Sequence, residues 1–153
     1  MIDMLYQDLE IAKMRLKKND LNLVLTKEGK VIFETRKPGI GGFLQAIDEL
    51  NQNLVASSVA DRIVGVAAAM LFAYSQVASV FALTISNGGV NVLESNSIKY
   101  HFEKKVANIL NHNRTEVCPF ERVAIASKNS SEAYIKLKAL ATDRKKKPPT
   151  YEC

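Results

Sequence analysis

Ser57-Ser58-Val59-Ala60-Asp61-Arg62-Ile63-Val64-Gly65-Val66-Ala67-Ala68-Ala69-Met70-Leu71-Phe72-Ala73-Tyr74 is the stretch on which the fold turns. Ile63, Val64, Ala67, Ala68, Met70, Leu71 and Phe72 cover almost the whole circumference of a helix drawn over Ala60 to Tyr74. Gly65 and Ala69 allow close approach, so such a helix is expected to be buried on more than one side. Ser58 stands three residues before Asp61, which reads as a capping-box-like start. The unbroken apolar part, Ile63 to Tyr74, is 12 residues long, too short for the roughly 20 that a membrane-spanning helix needs.

Beyond this segment, Ser79 to Ile85 is a continuous apolar strand that ends at Ser86-Asn87-Gly88-Gly89. Val90, Val92 and Leu93 lead through a short helix to a strand over Ile98 to Phe102, and strand, helix, strand implies a right-handed parallel crossover. Val106, Ile109 and Leu110 suggest another short helix, and Asn111 to Arg114 a loop. Cys118-Pro119-Phe120-Glu121 opens a helix, because Pro at the first helical position needs no amide hydrogen and an acidic residue there suits the dipole. Ala133 to Ala141 is the last helix.

Toward the N-terminus, Leu21, Leu23 and Leu25 alternate with more polar neighbours, Thr26 to Lys30 contains a glycine turn, and Val31-Ile32-Phe33 follows. That is a hairpin. Before it, Ile2, Leu5, Leu9, Ala12 and Leu16 have helical spacing, with Asp8, Glu10, Lys13 and Lys17 between them. After it, Arg36 to Gly42 is a basic glycine loop and Phe43 to Leu50 a short helix. The expected fold is α/β, a mixed sheet with an N-terminal hairpin and parallel later strands. The expected organisation is an amphipathic helix over 1–20 packed on the domain, the domain itself over 21–142, and a basic tail over 143–153.

The chain has 153 residues, 47% of them hydrophobic and 24% charged, a balance that excludes a disulfide-framed miniprotein and a disordered chain. The net charge of +5 raises the question of a nucleic-acid partner. Four basic against two acidic residues in 143–153 account for +2 of it, and no long basic stripe is left on the body. Nucleic acid is therefore not expected as a partner, nor is a membrane. Cys118 and Cys153 suit a reducing, cytoplasmic compartment, and no structural bridge is expected of a cysteine in the polar tail.

The run Asp61-Arg62-Ile63-Val64-Gly65 with Ala67-Ala68-Ala69, the strand ending Ile85-Ser86, and Cys118-Pro119-Phe120-Glu121 resemble a prokaryotic family known as a domain of unknown function. The resemblance covers about residues 21 to 126. It implies a cytidine-deaminase-like fold, a three-layer sandwich of hairpin, central helix, strand, helix and parallel strand. It also implies a Lys after the helix glycine, where this chain has Val66.

Zinc deaminases place His-x-Glu at the start of the central helix and Pro-Cys-x-x-Cys at the start of the next. Overlaying the helices puts Val59-Ala60-Asp61 and Ser86-Asn87-Gly88-Gly89 in those places, and neither Val nor Gly ligates zinc. No metal, no cofactor and no zinc-dependent deamination are expected. His101, His112 and Cys118 lack ligand spacing.

What the fold offers instead is a pocket where strand ends meet helix N-termini. Asp61, Ser86, Asn87, Gly88, Gly89, Arg114 and Glu121 are the candidate lining, for a small polar or nucleotide-like ligand. Each has a plainer reading. Asp61 and Ser86 serve equally as helix-start residues, and Asn-Gly is an ordinary turn. Cys118, at a helix start with Arg114 upstream, is the candidate thiolate nucleophile with Asp61 or Glu121 handling protons, or simply a small buried cap. The third reading is a scaffold whose apolar helices pair with a partner or a second copy. Asp61 and Cys118 are expected to share one pocket.

Overall fold

The computed structural model describes residues 4–144. Its elements are α1 (Met4–Lys18), β1 (Leu23–Lys27), β2 (Lys30–Thr35), α2 (Gly41–Leu50), a 3-10 turn (Asn51–Leu54), β3 (Ser58–Val64), α3 (Val66–Tyr74), β4 (Ser79–Ser86), α4 (Asn87–Ser95), β5 (Lys99–Val106), α5 (Pro119–Ala126) and α6 (Ser130–Arg144). The five strands form one sheet in the order β2-β1-β3-β4-β5. β1 pairs antiparallel with β2 and β3, whereas β3, β4 and β5 are parallel. The mixed sheet with a hairpin at one edge and parallel later strands is thus the architecture.

The hairpin closes through Glu28 and Gly29, both at positive φ (53° and 80°), the combination a two-residue type I′ turn demands. Helix α1 lies on one face of the sheet, where Leu9, Ala12 and Leu16 pack with Leu21, Val24, Ala60 and Phe81. The opposite face carries the larger core, in which Leu23, Leu25, Val59, Val80 and Ala82 meet Phe43, Leu71, Phe72 and Leu93. Helices on both faces make three layers. No helix among the described residues is long and apolar enough to cross a membrane.

Two expectations about elements need correction. The helix drawn over Ala60 to Tyr74 is a strand followed by a helix: β3 runs to Val64, Gly65 is extended (φ −109°, ψ −162°), and α3 begins at Val66. β3 is the middle strand of the sheet; its Val59 and Ala60 are buried on opposite faces, while Asp61 and Arg62 follow side by side and interrupt the alternation, so no period of two is legible. Ser58 caps nothing here; its hydroxyl pairs with that of Ser79 across β3 and β4 at 2.8 Å. Second, the short helix expected at Val106 to Leu110 is absent. β5 extends through Val106, and the segment after it is tied by an isolated bridge between Leu110 and Val117 and by the Asn111 side chain accepting from the Thr115 amide at 2.9 Å. Residues 1–3 and 145–153, with most of the basic tail and Cys153, lie outside the described residues.

Candidate functional site

A cavity of about 420 Å³ opens on the face of the sheet away from α1. Ile40, Leu44, Ile63, Ala67, Ala68, Ile109, Leu110 and Phe120 give it largely apolar walls. Its polar lining includes Lys37, Asp48, Asp61, Arg62, Glu121 and Lys138. Lys37, Asp48 and Lys138 are exposed and form the rim, Asp61 and Arg62 are half-buried, and Glu121 is buried at the floor.

Asp61 reaches this cavity from β3, paired with Ala82 of β4, and not from a helix start. Only backbone amides meet its side chain among the described residues: Oδ1 accepts from the Ile63 amide at a long 3.4 Å, and the carboxyl also takes the Arg62 amide. The protein around it withholds solvation from the charged form, and this outweighs the backbone amides of Ile63 and Arg62 and the Arg62 charge, so its pKa is pushed up to about 7. A helix start would favour the ionised carboxylate, but Asp61 stands on a strand, where burial acts the other way. The Arg62 guanidinium is engaged elsewhere, donating to Asn22 Oδ1 at 2.7 Å, Leu21 O at 2.8 Å and Asp20 Oδ1 at 2.9 Å.

Glu121 acts in a way the sequence did not announce. Its carboxylate reaches from α5 to the first turn of α3, where Oε1 accepts from the Val66 amide and Oε2 from the Ala67 amide, both at 2.7 Å. Gly65 precedes α3 and has no side chain with which to cap it, so a carboxylate from another helix satisfies the free amides. Burial raises the Glu121 pKa and the Ala67 and Val66 amides oppose the rise.

Asp61, Cys118 and Glu121 therefore line one cavity, while Ser86, Asn87, Gly88, Gly89 and Arg114 are outside its lining. Ser86 is the N-cap of α4 and accepts from the Gly89 amide at 3.0 Å. The two glycines serve packing: a Cβ on Gly88 would meet Val66 Cγ2 at 2.5 Å, and one on Gly89 would meet the Val64 carbonyl oxygen at 3.0 Å. Val59-Ala60-Asp61 lies inside β3, so the overlay on a helix-borne His-x-Glu does not hold. Cys118 is the buried N-cap residue of α5 but makes no side-chain capping bond. It is disulfide-bonded, so a thiolate is not what stands at this helix start. Among the described residues no three His, Cys, Asp or Glu side chains group closely enough to hold a metal ion.

Lys37, Gln45 and Lys138 of the lining were not singled out from the sequence. The segment around Lys37 was, but only as a basic glycine loop over Arg36 to Gly42. Lys138 bridges the rim, 3.3 Å from Asp48 Oδ1 and 3.3 Å from the Tyr134 hydroxyl.

The profile of the TM1506 family, described as a domain of unknown function (DUF1893), matches residues 11–140. The chain belongs to this family. The match starts inside α1 and runs nearly to the end of α6, wider than the span of 21 to 126 on which the motifs lie. A DUF1893 family protein from Thermotoga maritima superposes with a TM-score of 0.81 at 22% identity, over 92% of each chain, and so shares the fold. RibD of Acinetobacter baumannii is more distantly similar, with a TM-score of 0.46 at 14% identity over 66% of this chain and 36% of its own. None of the curated proteins matches the chain.

Proposed function

We propose that this DUF1893 protein binds a small, nucleotide-like ligand in the cavity between the end of β3 and helices α2, α5 and α6. The observation that carries the reading is Asp61. Its carboxyl faces the cavity and, among the described residues, is met only by the backbone amides of Ile63, at 3.4 Å, and Arg62, and a carboxyl with spare acceptor capacity in a largely apolar recess is a natural anchor for a ligand's N–H groups. The apolar walls suit a flat ring, and Lys37 at the rim, with no ion-pair partner among the described residues, suits an anionic substituent. A resting volume of about 420 Å³ is of the order of known small-molecule sites. Catalysis through Cys118 finds no support in a disulfide-bonded sulfur.

The test is a thermal-shift and calorimetric screen of nucleobases, nucleosides and nucleotides against the wild-type chain and Ala68→Phe. Ala68 is buried and lines the cavity, so the larger side chain fills it. A ligand that stabilises the wild type and loses at least about tenfold in affinity for Ala68→Phe supports the reading. Binding that ignores the substitution refutes it.

A further inference from the structure

In an α/β protein the start of a helix that follows a central strand is the ordinary seat for a ligand's anionic group. Here that seat is taken. Both oxygens of Glu121 hold the Val66 and Ala67 amides at 2.7 Å, and the carboxylate also fills the space in which a side chain on residue 65 would stand. A second carboxyl, that of Asp61, lines the same cavity. The cation nearest in sequence, Arg62, is bound to Asn22, Leu21 and Asp20. The remaining charges sit at the exposed rim: Lys37 on its loop, and Lys138 of α6 paired with Asp48 of α2 at 3.3 Å. The interior is thus acidic, with its anion seat closed by the protein's own carboxylate, and the free positive charge is outside.

We infer that the cavity selects ligand polarity, taking a cationic or N–H-donating group inward against Asp61 and leaving any anionic group outward toward Lys37. This rests on the cavity being a ligand site, and it adds which end of the ligand goes in. An amidine or an aminopyrimidine-type edge, with two adjacent N–H donors in one plane, matches a carboxylate's two acceptor oxygens. A ligand that led with a carboxylate or phosphate would meet two carboxyl groups and no free helix amide. Coulomb repulsion and the lost solvation of its charge then act together against it.

Three planar probes of one size separate the possibilities: benzamidine, benzamide and benzoate, titrated into the intact chain by NMR chemical-shift mapping at about pH 8, where Asp61 is mostly ionised. Benzamidine is expected to bind at least about tenfold more tightly than benzoate, with shifts at Ile63 and Ala68. Asp61→Asn is expected to bring benzamidine within about twofold of benzamide. The wild type alone gives a second readout, since benzamidine should weaken severalfold between about pH 8 and about pH 5.5 as Asp61 takes up its proton. Benzoate bound as well as benzamidine, or a benzamidine preference indifferent to both the substitution and pH, overturns the polarity while leaving the cavity a ligand site. Failure of all three probes to shift cavity residues at millimolar concentration overturns both.

Discussion

A Cβ on Gly65 would lie 2.5 Å from the carboxyl carbon of Glu121 and nearer still to its Oε1. Glycine at this position and glutamate 56 residues later are two halves of one arrangement. The bare backbone at the end of β3 makes room for the carboxylate, and the carboxylate completes α3.

Gly65→Ala should therefore destabilise the chain by about 3 kcal/mol, because the clash involves a buried carboxylate held by two backbone bonds and has little room to relax. Glu121→Ala should cost about 2 to 3 kcal/mol through two orphaned amides. The double variant should be less destabilised than the sum of the two, by at least about 1 kcal/mol, since the second change removes the atoms that the first one strikes. Urea unfolding of the four proteins measures the coupling, and additive costs would show that the residues do not share this space.

Asp61 sets a pH dependence with a definite sign. Its pKa is about 7 in the folded chain against 3.8 for an unperturbed aspartate, so the folded state holds the proton more tightly than the unfolded state does. The associated stability is fully present below about pH 4 and is lost by the time pH has risen through about 7. Asp61→Asn, which cannot ionise, should flatten that part of the profile and raise stability at about pH 8 by on the order of 2 kcal/mol, after allowance for water in the cavity. Melting temperatures from about pH 4 to about pH 8 decide it; parallel profiles for the two proteins would show that Asp61 titrates in the folded state as it does in the unfolded one.

Asp8 should prove as important as a core residue. It is 2% exposed, and its carboxylate accepts from the Glu28 amide at 3.0 Å and the Gly29 amide at 2.7 Å, which fastens α1 to the hairpin turn. Asp8→Ala should cost about 2 kcal/mol, and the Glu28 and Gly29 amides should exchange with solvent measurably faster. Unchanged exchange at those two amides would contradict this.

The elements that read correctly from the sequence are those whose pattern had one interpretation. Leu21 to Phe33 alternates around a glycine turn, Ser79 to Ile85 is a short apolar run closed by Ser86-Asn87-Gly88-Gly89, and Pro119 marks the start of its own helix. Residues 60–64 did not, because Asp61-Arg62 breaks the strand alternation and the apolar residues on either side fit a helix equally well, and only Gly65 hints at the break. Asp61 and Cys118 were placed in one cavity by supposing two helix starts, and the structure brings them together with a strand end and one helix start. Glu121 was legible as an acid in the first turn of α5. That its carboxylate serves α3 is a long-range fact that no local pattern contains. Asp8, on the edge of an amphipathic stripe, looked like a solvent-facing residue for the same reason.

The lining of the cavity begins at Asn22 and ends at Thr142. Almost the whole chain must be in place before the site exists, and a fragment ending ahead of α6 lacks the wall that carries Lys138, Ala141 and Thr142. Occupancy is therefore a report on complete folding. A ligand at about a hundred times its Kd would add about 2.7 kcal/mol to global stability by mass action, a gain shared by every element that walls the site, α6 included, whose Ala133 and Leu137 are anchored in the core.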